Sequence, residues 1–168
     1  MTQSPELPWI AEARRHLGQR ETPGNKHNPF IVGIWSAIGA GWFKDDETPW
    51  CAGFVAYCLK HAGRPILGPA QVGRALAWVD YGVKLDEPAY GCLAIKSRNG
   101  GGHVGFVVGR DEKGRLMVLG GNQDNSVSIA PYNQFVFQSF RWPSIYPTDQ
   151  RFDLPVLQAS GKPVMSEA

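Results

Sequence analysis

The chain has 168 residues, enough to bury a sizeable core in one domain, and 43% hydrophobic with 19% charged residues is a globular composition, not a disordered one. Seventeen basic against fifteen acidic residues leave a net charge of +2 with no basic run, so nothing supports nucleic-acid binding. The start, "MTQSPELPWIAEARRH", lacks the basic head and apolar stretch of a secretory signal, and the apolar run from Phe30 to Phe43 is too short for a membrane span.

Helical signals fill the first half. "PWIAEARRHLG" places Trp9, Ile10, Ala13 and Leu17 on one side and closes on Gly18. After the turn-rich "GQRETPGNKH", the stretch "NPFIVGIWSAIG" opens with Asn28 as N-cap and Pro29 at the first helical position. A third helix repeats that grammar at Thr48 and Pro49, running through Phe54, Val55, Cys58 and Leu59 to stop at Gly63. "PAQVGRALAWVDYG" reads as a short fourth helix.

Strand signals then take over. Cys92 to Lys96, His103 to Gly109, Leu116 to Gly121, Ser126 to Ile129 and Phe135 to Trp142 are each bounded by glycine or polar turns. Helices first and strands second predict an α+β fold with N-terminal helices packed on an antiparallel sheet of about five strands. Residues 1–146 form one domain in this reading. Residues 147–168, with three prolines and little periodicity, form an irregular surface tail.

Three cysteines are too few and too far apart for a disulfide framework. Cys51 and Cys58 on one helix stand about 10 Å apart, at ~1.5 Å rise per residue. No C-x-x-C or H-x-x-H spacing marks a metal site, and no metal or other cofactor is expected. Asp45, Asp46 and Glu47 do not follow a calcium-loop spacing and suit the helix dipole or solvent.

Cys51 differs from Cys58 and Cys92, which sit where core residues belong. It occupies the first turn of a helix, where unpaired N–H groups and the dipole favour an anion and lower a thiol pKa. Its own backbone N–H is placed to stabilise an oxyanion. His103 follows "NGGG" at a strand entrance with open space around it, whereas His16, His27 and His61 read as solvated. If "RDEKGR" turns so that Arg110 pairs with Arg115, His103 faces Asn122, within hydrogen-bonding reach across the ladder. A one-residue change in that loop turns Asn122 away and makes Gln123 the partner; Asp124 is a further alternative. Cys51, His103 and Asn122 then make a nucleophile, an acid–base and an orienting group. Trp42, Trp50 and Trp78 are candidates for lining a substrate groove, although tryptophans of this kind are more often core.

"ETPWCAGFVAYCLKHAG", "GGHVGFVVG" and "VLGGNQDNSVSI" together resemble the papain-like cell-wall hydrolases of the CHAP (cysteine, histidine-dependent amidohydrolase/peptidase) and NlpC types, most of all a branch common in bacteriophages and prophages. The likeness runs from about residue 8 to residue 142. It implies a papain-like fold and cleavage of peptidoglycan amide bonds, by an endopeptidase or an N-acetylmuramoyl-L-alanine amidase, with Cys51 as nucleophile, His103 as base and acid, and Asn122 as third member. Relatives commonly carry Gly-Asp where this sequence has Gly91-Cys92. Many also carry an acidic residue where it has Gly120. Without a secretory signal the protein is expected to be made in the cytoplasm; a monomer is expected, acting in the periplasm or wall after delivery, as a phage lysin or an injected antibacterial toxin. Its partners would be peptidoglycan and an immunity, chaperone or delivery protein, with no membrane insertion. A catalytically inactive wall-binding or tail component, and an acyltransferase using the same triad, are the alternatives.

Overall fold

The computed structural model describes residues 5–23, 26–43, 49–98 and 100–162. Three α-helices come first: α1 (Pro8–Arg14), α2 (Pro29–Ala37) and α3 (Cys51–His61), followed by a 3-10 helix at Ala75–Asp80. Strands β1 (Val83–Leu85), β2 (Leu93–Arg98), β3 (Gly101–Asp111), β4 (Leu116–Gln123), β5 (Ser126–Tyr132), β6 (Ser139–Trp142) and β7 (Val156–Leu157) form one sheet. The order is β1-β6-β2-β3-β4-β5, antiparallel throughout, with β7 added parallel to β3. This is the expected α+β, papain-like arrangement, with seven strands instead of about five.

Asn28 caps α2 as expected, its Oδ1 accepting from the N–H of Phe30 at 2.8 Å, with Pro29 at the first helical position. Helix α3 begins at Cys51, two residues beyond Pro49, with Trp50 as its N-cap; Thr48, Asp45, Asp46 and Glu47 lie outside the described residues. From Cys51 to Leu59 it is largely apolar because most of it is buried: Ala52, Phe54, Val55, Cys58 and Leu59 have no exposed surface, while Lys60 and His61 in its last turn are exposed. It packs between α1 and α2 and the β3–β4 ladder. Each large side group so buried contributes about 1.5–3 kcal/mol. The fourth helix is mostly turn, reduced to one 3-10 segment whose Trp78 enters the core. Pro131 is tolerated in β5 because that strand is at the sheet edge.

Two expectations fail in the periphery. Leu17 is 42% exposed, because α1 ends at Arg14 before reaching it. His16 is not solvated but stacks on Phe30 and meets Glu12 Oε2 at 2.6 Å. After Pro147 the chain adds β7 to the sheet and buries Leu157. Among the described residues no helix is long and apolar enough to cross a membrane.

Candidate active site

Glycine decides how closely helix and sheet approach. A Cβ at Gly121 on β4 would stand 2.7 Å from both Phe54 Cβ and Trp50 Cζ3, so only a bare backbone lets the start of α3 lie against the strand. On β3, a Cβ at Gly102 would meet Leu76 Cγ at 2.8 Å and Lys96 O at 2.9 Å. The result is that Cys51 Sγ lies 3.9 Å from Gly102 O, against the backbone that carries His103. Cys51 and His103 are each 3% exposed.

His103 Nε2 is 2.9 Å from Gln123 Oε1. The amide orientation of Gln123 is fixed from its other end, where Nε2 donates to Val118 O at 3.0 Å and to Ser128 O at 2.8 Å. Those carbonyls only accept, so the amide nitrogen must face them and the oxygen must face the ring. His103 Nε2 therefore donates, and in the neutral imidazole Nδ1 keeps its lone pair. Tyr132 completes the arrangement: its hydroxyl donates to Gln123 Oε1 at 3.1 Å and its ring stacks on His103 with centroids 5.8 Å apart.

The side chain that meets His103 is thus that of Gln123, the alternative partner, and not that of Asn122. Three departures from the expected ladder occur, of which the first two cancel and the third accounts for the difference. The β3–β4 turn is one residue longer than expected, with Arg110 opposite Leu116 instead of Arg115. A bulge between Val107 and Gly109 cancels that shift, and Phe106 pairs with Leu119 as the expected register requires. The third departure, between Gly120 and Gln123, then reverses the parity, with Asn122 at φ 56. Space for the carboxamide comes from Gly120, where a Cβ would lie 3.0 Å from Gln123 Oε1. Asp124 also has a positive φ, and its carbonyl accepts from Arg20 Nη1.

Burial dominates the electrostatics. It raises the Cys51 thiol above its ordinary value, although the N–H groups of Val104, Ala52 and Cys51 and the nearby Arg98 charge pull the other way. The expectation that the helix start lowers this pKa is therefore corrected: desolvation outweighs the dipole. Burial likewise lowers His103 to about 4, against the Gln123 hydrogen bond and reinforced by Arg98 and Lys96. Near neutral pH the pair rests as thiol and neutral imidazole. Cys58 and Cys92 are fully buried, free and raised by desolvation, as core residues should be.

A cleft of about 600 Å³ opens on Cys51, lined among others by Pro49, Arg74, Leu76, Arg98 and Gly102. Residues 43–122 match the CHAP domain. A search of curated proteins finds no match. The CHAP match spans Cys51, His103 and Asn122 but stops one residue before Gln123 and well before Tyr132. Trp50 and Trp78 do not line the cleft: both are fully buried, with their indole N–H groups donating to Glu21 Oε1 and Val72 O. Trp42 is 59% exposed and is not among the lining residues. Among the described residues no cluster of three His, Cys, Asp or Glu residues is arranged to hold a metal ion.

Sequence reasoning missed Tyr132, Arg74 and Arg98. Tyr132 lies at the end of β5, beyond the stretch Ser126 to Ile129 that reads as a strand in the sequence. The two arginines carry no local motif and meet Cys51 only through tertiary folding.

Proposed function

We propose that the protein is a cysteine hydrolase that cleaves amide bonds of bacterial peptidoglycan, with Cys51 as nucleophile, His103 as base and acid, and Gln123 in place of Asn122 as the orienting residue. The observation that carries this reading is the thiol at the start of α3 lying against the β3 segment that bears His103, whose Nε2 is held by Gln123. The CHAP match supplies the substrate class.

In the first half-reaction His103 Nδ1 takes the thiol proton as Sγ attacks the scissile carbonyl carbon. The tetrahedral oxyanion is met by the backbone N–H of Cys51, in the first turn of α3 where no intrahelical acceptor is available. Collapse breaks the C–N bond, the imidazolium gives its proton to the leaving amine, and a thioester remains. Water, deprotonated by His103, then attacks the thioester, releasing the carboxylic acid and restoring the thiol. Because both groups rest neutral, the proton moves during attack and not before it. The Gln123 carboxamide oxygen steadies the transient imidazolium without adding a full negative charge.

Purified peptidoglycan incubated with the protein should lose turbidity and release soluble fragments whose new ends, read by mass spectrometry, identify the bond. Cys51→Ala should abolish release while the protein stays folded. Release that survives this substitution would reject the reading, and so would absence of release by the unsubstituted protein.

A further inference from the structure

The cleft beside Cys51 carries a charge pattern that the hydrolytic chemistry does not require. Arg74, at the entry of the 3-10 helix, and Arg98, at the end of β2, both line it, and none of its described lining residues is acidic. Neither guanidinium has an ion pair or hydrogen bond among the described residues. By contrast Arg14, Arg115 and Arg141 each meet a carboxylate. Arg98 is also close enough for its charge to act on Cys51, His103 and Tyr132. Two cations beside a nucleophile raise the local concentration of anions, and guanidinium matches a carboxylate in a two-pronged geometry.

We propose that Arg74 and Arg98 form a carboxylate-recognition subsite, so that the preferred peptide carries a free carboxylate on a residue flanking the scissile amide. The inference rests on the hydrolase reading for its peptide substrate. In wall peptides such a carboxylate has three chemical sources: the α-carboxylate left free by a γ-linked glutamyl residue, the second carboxylate of a diamino diacid, and the carboxylate that ends the peptide.

The test separates recognition from turnover. Synthetic stem peptides, amidated at each of these carboxylates in turn, are titrated calorimetrically into the Cys51→Ala protein. Amidation at one position should weaken binding roughly ten- to hundredfold. Adding Arg98→Gln or Arg74→Gln should weaken the carboxylate peptide to the level of the amide and leave the amide peptide unchanged. Arg98→Lys should keep part of the discrimination. Unfolding midpoints equal to the parent's establish that these exposed substitutions leave the fold intact. Equal binding of acid and amide peptides, equal losses for both on substitution, or no binding would overturn the subsite. Discriminating binding without cleavage by the protein that retains Cys51 would keep the subsite and reject the hydrolase.

Discussion

Replacing Gln123 by alanine takes away the acceptor for His103 and leaves the carbonyls of Val118 and Ser128 without their shared donor. The first loss frees the ring to rotate and should lower kcat roughly 100-fold, the scale of a misplaced reacting group. The second should cost about 1–3 kcal/mol of stability, the penalty for an unpaired buried polar group. Asn122 is the control. Its backbone sits at φ 56, so Asn122→Gly preserves the conformation and should leave kcat within a few-fold of the parent. Steady-state kinetics on soluble wall fragments, with chemical denaturation of both variants, check the contrast; a reversed pattern would return the orienting role to Asn122. His103 adds a pH signature. Its folded pKa of about 4 lies below the ordinary 6.5, so the folded protein refuses a proton that the unfolded state accepts. Stability from this residue is therefore whole above pH 6.5 and is lost as pH falls toward 4, by on the order of 3 kcal/mol. Stability measured at several pH values should show that extra slope in the parent and not in His103→Gln.

Helix α3 and the β3–β4 ladder make the site by approaching without side chains between them. Gly121→Ala puts a methyl group 2.7 Å from Trp50 and Phe54, which must push the start of α3 off the strand. Overpacking of this kind costs about 1–3 kcal/mol, and kcat should fall further than the stability loss explains because Cys51 moves with Trp50. Thermal unfolding together with kinetics below the transition separates the two effects; normal kcat in a destabilised variant would show that the gap between helix and sheet does not matter. The same elements show what the sequence could disclose. Asn28-Pro29 named the start of α2, and the buried run after Cys51 named α3, because caps and apolar density act locally. His103 was legible as a strand entrance for the same reason. Gln123 was legible only as the alternative to Asn122, since the choice depends on a longer turn, a bulge that compensates it and a second bulge that does not. Each changes parity by one residue, and none leaves a mark in hydrophobic alternation. Trp50 and Trp78 were ambiguous because an aromatic ring looks alike in a groove and in a core.

At the scale of the molecule, β3 is held at both ends by different parts of the sequence. Its start carries His103 beneath α3 and the 3-10 helix, while its end is clamped by the segment that follows β6. There Pro155 O accepts from Arg110 N at 2.9 Å, and β7 runs parallel to Arg110 and Asp111. Leu157 fills the space above Gly109, where a Cβ would lie 2.8 Å from its Cδ1. Arg151 ties the same segment to the N-terminal end, donating to Pro5 O, while its carbonyl accepts from Tyr90 N. These contacts make the segment a brace for the sheet at the end of β3 remote from His103. Leu157→Ala should then cost about 2 kcal/mol, the low end for a buried leucine, and lower Tm by roughly 4–8 °C. Turnover at 25 °C should be unchanged, because the loss falls on the unfolding equilibrium and not on the position of His103. Scanning calorimetry paired with kinetics distinguishes brace from site: an unchanged Tm with diminished kcat would mean that the segment acts on the reacting groups instead of on the sheet that carries them.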